Sequence, residues 1–452
     1  MDGAKTESRP VLQNLPILKG SSYDPKGTKK NGRCQNRIAM RPCKTFRQIK
    51  SAVTTPKITR MFGKKRYICT TIYLTLFFVQ MRNVVLWVAC SLLGACSADN
   101  KETSVIPDFI HGVYSVESLL SEAELSNPNY GAFEFIYLMA APEWSKIDFD
   151  LPQERINAYA DSFDYRMAPG NMPLVPQMIE KAHAEEANVL LCFGGQKEFR
   201  TFLEKPERLA KFTKYIVRLI DRNDYDGVDI DWEISIDKEL HAGMMQDLRD
   251  QLDSLGRKNR RTYYVTTALS IDHVYDQALA DRLIGAVDWI NIMSYDMCDG
   301  IWGTTPSHHT SMESLRSKLE NWKLFDRSKL CLGLANYGFY YKGLEPGQKA
   351  DAPLSEYGRY ITYKEFIPWM SEGWVEEYDP AAEVSYYFSP DREEFVTMDS
   401  PSSILNKIEW IQANGFRGAF WWEFHHDYLA PDEANPQGSH YLIDLVTDYL
   451  KR

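Results

Sequence analysis

The sequence predicts an α/β protein, a (β/α)8 TIM barrel with a small α+β insertion between its seventh and eighth strands. The first observation behind this prediction is that, from about residue 107 onward, eight short apolar runs alternate with amphipathic helical patterns. Eight is the number of strands in this barrel. The second observation is that the connection before the last apolar run is far longer than the others.

The predicted strands and helices alternate along the chain, which favours a parallel sheet over a sandwich. The strands are apolar, with frequent β-branched and aromatic residues. They cover residues 109–114, 133–139, 189–193, 227–232, 263–269, 289–294, 330–334 and 418–422. The helices follow a period close to that of an α-helix. They cover residues 173–186, 205–222, 240–255, 276–284, 311–322 and 402–414.

About 80 residues separate the seventh and eighth predicted strands, more than a normal crossover needs. Within this segment, residues 340–400 contain mixed aromatic and charged runs, including 384–388 and 394–398. We expect them to form the small insertion, on the rim where the active sites of such barrels lie. The barrel as a whole is expected to occupy residues 107–452.

Charge is distributed unevenly along the chain. The formal net charge is −10, yet residues 1–95 hold 18 Lys and Arg against three acidic side chains. The remaining residues therefore hold 34 basic and 59 acidic side chains, a net charge of −25. Such a body repels phosphates, so no nucleic acid partner is expected and a neutral substrate such as a sugar is favoured.

The cysteines and histidines do not indicate a disulfide framework or a metal site. Only three of the eight cysteines lie beyond Cys96, and no Cys/His spacing is typical of zinc. The side chains of the adjacent His308 and His309 diverge, so we interpret this pair as part of a loop. We expect no metal, no cofactor and a monomeric protein.

The N-terminal region has the features of targeting sequence. In residues 81–95 a short basic start precedes an apolar run too short to span a bilayer, which predicts a lipoprotein signal peptide. Small residues before Cys96 resemble a bacterial lipobox, so Cys96 is the predicted lipidation site and 96–106 a polar tether. A membrane span over residues 67–95 is the alternative. The basic residues 1–80 are interpreted as a non-native or disordered leader, and the protein as exported and lipid-anchored to a bacterial membrane or cell surface.

Three acidic side chains share one face of the fourth predicted strand. Because strand side chains alternate, Asp229, Asp231 and Glu233 point one way and the apolar residues between them the other. In a barrel, the acids would then point into an interior that is normally apolar. Burying unpaired charge is costly, so this row indicates a functional site. An exposed edge strand with an acidic face is the alternative interpretation.

The close spacing of these carboxyl groups has a chemical consequence. They cannot all ionise easily, so at least one pKa is raised. A carboxyl group that keeps its proton near neutral pH can protonate a leaving group. Glu233 lies at the C-terminal end of the strand, where barrel chemistry occurs, and is the predicted general acid.

With Asp226, these acids complete the motif DxxDxDxE, and here the sequence resembles glycoside hydrolase family 18, the chitinase family. The resemblance covers about residues 107–445. Four further motifs follow the family order: Gly194 and Gly195 in the third strand, residues 293–296 in the sixth, 333–338 in the seventh and 418–422 in the eighth.

The resemblance implies a retaining hydrolase that cleaves β-1,4-linked N-acetylglucosamine polymers, such as chitin or chitooligosaccharides, through an oxazolinium intermediate formed by the substrate's own acetamido oxygen. Carried onto this chain, Glu233 protonates the glycosidic oxygen and later deprotonates water. Asp231 orients the acetamido N–H, and Asp229 shares a proton with Asp231. Tyr295 holds the acetamido carbonyl near the anomeric carbon. Asp226 has a structural role.

The resemblance also implies sugar-binding residues. Trp422 forms the floor beneath the sugar at the cleavage point, because an indole face suits the apolar face of a pyranose. Asp296 binds sugar hydroxyls. Met293 faces the interior by strand parity and serves either substrate binding or core packing. Trp302 and Trp144 are candidate stacking platforms or loop anchors.

The sequence departs from the family pattern at three places. Cys192 replaces a usual Ser, Ala335-Asn336 replaces a common Pro-aromatic pair, and Phe420 replaces a frequent Met. The short insertion predicts an open groove rather than a tunnel. Two alternative functions stay open: an endo-β-N-acetylglucosaminidase acting on N-glycans or related glycans, and a non-catalytic glycan-binding protein on the same scaffold. Such lectins typically lack the last acid of the motif, which is present here as Glu233.

Overall fold

The computed structural model describes residues 108–126, 128–195, 198–233, 235–298, 300–430 and 438–451. Its central feature is a closed barrel of eight parallel strands. In chain order these are β1 (Ile110–Val116), β2 (Phe135–Met139), β3 (Asn188–Gly195), β4 (Gly227–Trp232), β5 (Tyr264–Ser270), β6 (Trp289–Met293), β7 (Leu330–Ala335) and, after five strands in the insertion, β13 (Gly418–Trp422). The predicted α/β barrel with its insertion is confirmed.

Helices cover the outside of the barrel and one lies in the insertion. They are α1 (Glu122–Ser126), α2 (Gln153–Ser162), α3 (Val175–Ala184), α4 (Arg200–Glu204), α5 (Leu209–Arg222), α6 (Lys238–Asn259), α7 (Gln277–Ala286), α8 (Met312–Lys318), α9 (Tyr363–Met370), α10 (Pro401–Ala413) and α11 (Tyr441–Leu450). Several begin at side-chain caps: Asp237 accepts from two backbone N–H groups of α6, and Asp276 from one of α7.

The alternation of side chains in the barrel wall creates two cores. In β4, Val228 and Ile230 are fully buried in the outer core between strands and helices. Asp229 and Asp231 point the other way, into the barrel. The inner core is strongly aromatic, and Trp289 of β6 is one of its members. The inward orientation that the sequence predicts for the acids of β4 is therefore the observed one.

The insertion is an antiparallel sheet with one helix. Its strands are β8 (Tyr337–Lys342), β9 (Gly358–Thr362), β10 (Val375–Asp379), β11 (Val384–Phe388) and β12 (Glu394–Met398), in the order β10-β11-β12-β8-β9. The sheet begins directly after β7, so the insertion starts earlier than the predicted residue 340. A capping box at Thr362 and Glu365 starts its helix α9.

The loop that follows β6 is fastened to this insertion. Backbone N–H groups of Gly347, Ala350 and Leu354 donate to carbonyls of residues 303–306 at 2.7–2.9 Å. His308, in the same loop, contacts the Thr397 hydroxyl of β12 at 2.7 Å. The insertion and the β6 loop therefore form one continuous hydrogen-bonded rim on the barrel.

The predicted leader (1–80), signal peptide (81–95), tether (96–106) and lipidation site at Cys96 lie outside the described residues. Within the described ranges, no helix combines the length and the hydrophobicity that crossing a membrane requires.

Candidate active site

The register of three strands assembles the base of the site around Asp229. Cys192 of β3 and Thr266 of β5 lie opposite Asp229 on either side. The Thr266 hydroxyl donates to Oδ1 at 2.6 Å, while the Cys192 thiol and the Tyr114 hydroxyl donate to Oδ2 at 3.2 and 2.9 Å. Burial raises the pKa of Asp229, and these donors oppose the rise. Asp229 is thus a fully enclosed carboxyl group held by three side chains.

Asp231 lies next along the same face and is nearly as buried, at 3% exposure. Its Oδ1 has no hydrogen-bond partner among the described residues. Gly194 of β3 leaves it room, since a β-carbon at position 194 would lie 3.0 Å from Oδ2. Burial, together with the charges of Glu233 and Asp229, holds the pKa of Asp231 well above its usual range. An unpartnered buried oxygen of this kind is suited to a donor on a ligand.

Glu233 follows β4 directly, at the C-terminal mouth of the barrel, and is partly exposed. Burial and the negative charge of Asp296 raise its pKa to about 7. Both causes disfavour the carboxylate, so Glu233 keeps its proton to higher pH than a free glutamate. This is the property that a general acid needs at neutral pH.

Tyr295 lies after β6 and is 7% exposed. Burial and the charges of Asp231, Asp296 and Glu233 raise its pKa well above the usual value, so the phenol stays protonated and can donate. Gly333 of β7 makes the ring's position possible: a β-carbon there would lie 2.5 Å from Tyr295 Cε1. The sequence motif around Gly333 therefore has a steric function beside Tyr295.

Asp296 follows Tyr295 and has a left-handed backbone, with φ of 52°. Its Oδ1 accepts from the Tyr337 hydroxyl at 2.8 Å and lies 3.2 Å from His309 Nδ1. Its negative charge contributes to the raised pKa of Glu233. The structure thus places Asp296 near enough to Glu233 for the charge of one to act on the other.

The two adjacent tryptophans of β13 point in opposite directions. Trp421 is fully buried in the outer core, where its Nε1 donates to His111 Nε2 at 2.8 Å. Trp422 packs against the inner core, with its ring centroid 5.7 Å from that of Tyr114. The Trp422–Glu423 peptide bond is cis. Trp422 is therefore the indole that faces the barrel interior with the acids.

The remaining predicted contact residues have different environments. Met293 is partly buried against the inner core, as its parity predicts. Trp302 is 37% exposed in the β6 loop, beside Phe339 of the insertion. Trp144 is 4% exposed and packs among phenylalanines of the outer core, including Phe212 at 4.7 Å. Of the two interpretations of Trp144, the structure favours the loop anchor, since most of the ring packs within this cluster.

Asp226 and the glycines of β3 have separate positions. Asp226 lies at the opposite, N-terminal end of β4, where it accepts from Val189 N at 2.7 Å, contacts His183 Nε2 at 2.8 Å and pairs with Arg261. Burial alone would raise the pKa of Asp226, but His183 and Arg261 have the larger combined effect and lower it. Gly195 follows Gly194 at the rim, beside an open hollow of about 550 Å³ that both glycines line.

Sequence reasoning missed four residues that hold the site. Tyr114 and Thr266 lie in predicted strands, so inward parity was the available signal for both. Tyr337 and His309 reach Asp296 from the insertion and from a loop, and no local pattern predicts such contacts. Within the described part of the chain, no group of three or more His, Cys, Asp or Glu side chains is arranged to hold a metal ion.

Comparison with known proteins gives one family. The sequence model of the family described as glycosyl hydrolases family 18 matches residues 150–427, more than half of the chain. A probable endochitinase of Orgyia pseudotsugata multicapsid polyhedrosis virus is 27% identical over 50% of this chain and 46% of its own length. The sporulation-specific chitinase 2 of Saccharomyces cerevisiae is 25% identical over 52% and 53%. The chain thus spans about half the length of these curated relatives.

Solved structures share the fold at lower identity. An immunomodulatory active chitinase from Trichuris suis aligns with a TM-score of 0.57 and 20% identity, over 76% of this chain and all of that one. A chitinase-like agglutinin from Robinia pseudoacacia aligns with a TM-score of 0.55 and 18% identity, over 75% of this chain and 98% of that one. Both a chitinase and an agglutinin therefore share this architecture.

Proposed function

The chain belongs to glycosyl hydrolases family 18, and from that premise we propose that it cleaves β-1,4-linked N-acetylglucosamine polymers, chitin or chitooligosaccharides, with retention of configuration. One observation carries the proposal. Glu233, with a pKa raised to about 7, directly follows the strand that carries Asp231. Asp231 has a buried oxygen with no hydrogen-bond partner among the residues that the structure describes. A proton donor and a free acceptor side by side are what assisted cleavage of an N-acetylated sugar requires.

In the proposed first step, Glu233 gives its proton to the glycosidic oxygen as the bond from that oxygen to C1 breaks. The acetamido oxygen of the same sugar attacks C1 and forms an oxazolinium ion, so no protein nucleophile is needed. In the second step, Glu233 takes a proton from water, and the water oxygen bonds to C1 on the face that the leaving group left. The ring opens to regenerate the acetamido group.

Asp231 supports both steps. Its unpartnered Oδ1 accepts the acetamido N–H, and its charge offsets the positive oxazolinium ring. Because its pKa is raised, Asp231 shares a proton with Asp229, and this proton moves to Asp229 as positive charge develops, which leaves Asp231 as the carboxylate. Tyr295 donates its phenol proton to the acetamido carbonyl and so holds the attacking oxygen near C1, which is a positioning effect.

Sugar recognition is assigned to the residues around this row. Trp422 offers an indole face to the apolar side of the sugar, and Asp296 accepts from its hydroxyl groups. Trp302, which is partly exposed on the rim, is a stacking platform for a further unit. The open hollow beside Gly194 and Gly195 supports a groove in which a polymer lies across the barrel mouth.

A non-catalytic glycan-binding protein is the second candidate, favoured by the similarity to an agglutinin at 18% identity. A chitooligosaccharide ladder decides between the two. The enzyme proposal expects new reducing ends, β-anomeric products by NMR before mutarotation, and no cleavage of cello-oligosaccharides, which lack the acetamido group. Binding without release of reducing ends, unchanged in Glu233→Gln, supports the second candidate. Cleavage of a high-mannose glycoprotein but not of the ladder indicates an endo-β-N-acetylglucosaminidase.

We also propose that the protein is exported and anchored through a lipid on Cys96. The support is the sequence pattern before this residue. Metabolic labelling with a radioactive fatty acid is expected to mark the wild-type protein and not Cys96→Ser. Equal labelling of both proteins contradicts the assignment.

A further inference from the structure

His309 is fully buried and links Asp296, at the start of the β6 loop, to strand β8 of the insertion. Its ring lies between Tyr337 and Phe339 of β8, with centroid distances of 4.9 and 5.0 Å. Nε2 lies 3.1 Å from the backbone carbonyl oxygen of Tyr337, and Nδ1 lies 3.2 Å from Asp296 Oδ1. Both ring nitrogens therefore face oxygen atoms.

These contacts bear on where the ring of His309 carries hydrogen. A backbone carbonyl only accepts, so Nε2 carries a hydrogen. Asp296 Oδ1 already accepts from the Tyr337 hydroxyl at 2.8 Å, as a carboxylate oxygen does. An Nδ1 without a hydrogen would be an acceptor facing the Asp296 carboxylate, which is also an acceptor. This contact therefore favours a hydrogen on Nδ1 as well. The backbone N–H of Asp296 also points toward Nδ1, but at 3.4 Å this is the longer contact. The shorter contacts thus favour a ring in which Nε2–H donates to the Tyr337 carbonyl and Nδ1–H donates to the Asp296 carboxylate.

Asp296 needs such support because its own backbone does not favour its position. Its φ of 52° lies in the left-handed region, which costs a non-glycine residue free energy. The His309 ring and the Tyr337 hydroxyl hold the same carboxylate oxygen from two sides. Together they set the direction of Asp296, whose charge acts on Glu233.

We propose that His309 is a positioning residue for the reaction, which acts through Asp296: it fixes the direction of that carboxylate and compensates its charge beside Glu233. This inference rests on the proposed function, in which Glu233 is the general acid. It concerns a residue outside the acidic row, contributed by a loop that the insertion holds in place.

The other groups near the pair do not change charge around neutral pH. Those on the surrounding elements are Tyr295, His308, Tyr337, Tyr341, Tyr360 and His426. Burial raises the pKa of each of these tyrosines. Burial also lowers the pKa of His308 to about 4, although Asp379 lies 3.6 Å away, and it lowers the pKa of His426. Next to Glu233, burial raises the pKa of Asp231.

The protonation of His309 can be measured without any substrate. In the full chain labelled with ¹⁵N-histidine, both ring nitrogens of His309 are expected to be protonated at pH 7, with the signals assigned by their loss in His309→Gln. In Asp296→Asn, which removes the counter-ion, one of the two is expected to lose its proton at the same pH. A neutral His309 with a bare Nδ1 in the wild type overturns the proposal. If wild-type His309 carries both protons but the protein cleaves no chitooligosaccharide, the result counts against the proposed function and not against the pairing of His309 with Asp296.

Two substitutions of His309 separate its effect on the direction of the Asp296 carboxylate from its effect on the charge of that carboxylate. His309→Asn keeps a neutral donor near the position of Nδ1, and His309→Gln keeps one near Nε2. Both leave the Asp296 charge uncompensated, which raises the pKa of Glu233, so the falling high-pH limb of kcat/KM is expected to move up by about 0.5–1 pH unit. His309→Gln also loses the link to Asp296, so its kcat is expected to fall more than that of His309→Asn.

His308→Gln is the matched control. This neighbouring histidine is also buried, but its ring contacts Thr397 and stacks on Tyr386, away from Asp296. It is expected to change the thermal midpoint without moving the pH limb. In the double variant Asp296→Asn/His309→Gln, the high-pH limb of kcat/KM is expected at the same pH as in Asp296→Asn alone. A limb that moves equally in His308→Gln, or that moves in the absence of Asp296, overturns the proposal, since a packing defect then explains the effect.

Discussion

Gly333 and Tyr295 are in such close contact that position 333 cannot carry a β-carbon without moving the ring: the added atom would lie 2.5 Å from Cε1 and 2.9 Å from Cδ1. Phe420 Cζ would be 3.0 Å away on another side. Neither aromatic ring is a flexible chain end, so the Tyr295 ring must shift.

Gly333→Ala is therefore expected to lower kcat/KM on chitooligosaccharides by about 10- to 100-fold, because displaced positioning groups lose their effect steeply with distance. Gly243→Ala is the control: this glycine lies in α6 with no atom within 4 Å of the added carbon. It should keep full activity and raise stability by up to about 1 kcal/mol through helix propensity. Equal activity of the two variants would show that Tyr295 does not depend on Gly333.

Glu233→Gln is expected to reduce turnover by about 10²–10⁴-fold or more, since shape is kept but no proton can be donated. Affinity for a chitooligosaccharide, measured by calorimetry, should stay within a few-fold of wild type. Glu313→Gln, at an exposed position in the first turn of α8, is the control and should behave as wild type. Substantial turnover by Glu233→Gln would remove Glu233 from its proposed role.

The pH dependence follows from the pKa of Glu233, which burial and Asp296 raise to about 7. The protonated form is the active one, so kcat/KM is expected to fall above pH 7, by about tenfold per pH unit once the group is ionised. Initial rates across a buffer series from pH 5 to 9 test this. A profile that is flat up to pH 9 is incompatible with Glu233 as the titrating acid.

Asp231 and Asp226 should affect stability in opposite directions. The pKa of Asp231 is raised in the folded state, so its ionisation destabilises the fold once the pH exceeds the unfolded value near 4. Asp231→Asn is therefore expected to raise the free energy of unfolding at pH 7, by about 1 kcal/mol or more, while activity is lost. Urea unfolding at pH 7 provides the measurement.

Asp226 is the matched comparison, because its pKa is lowered and its carboxylate is held by His183 and Arg261. Its contribution is present above the unfolded pKa and is lost as the pH falls. Asp226→Asn should lower the free energy of unfolding by about 1–3 kcal/mol at pH 7 and leave turnover per folded molecule unchanged. Stabilisation by Asp226→Asn, or destabilisation by Asp231→Asn, would contradict the assignment of functional and structural acids.

The sequence was sufficient to predict the barrel because the apolar runs of its strands are separated by clear helical patterns. The inward direction of Asp229 and Asp231 followed from parity alone. Helix α2 was missed because only Ile156 and Ala160 of it are buried, which leaves almost no apolar periodicity. Helix α11 was missed although its buried residues Leu442, Ile443 and Val446 recur at helical spacing and Asp444 and Asp448 lie one turn apart.

Contacts between distant segments explain the remaining differences. Trp144 was a candidate for stacking because it follows a strand, but the phenylalanines that enclose it come from α4 and α5 and from the residue before α4. The support of Asp296 by Tyr337 and His309 depends on how the insertion folds over the loop. A single sequence has no local signal for either arrangement.

The fastening of the β6 loop to the insertion bears on how this barrel can be re-engineered. Backbone bonds from Gly347, Ala350 and Leu354 end on the loop that carries Trp302 and His309. Excising the insertion alone would leave those carbonyls without donors and withdraw Tyr337 from Asp296. A chimera that borrows a different cap would have to exchange residues 300–310 and 337–400 together, as one graft.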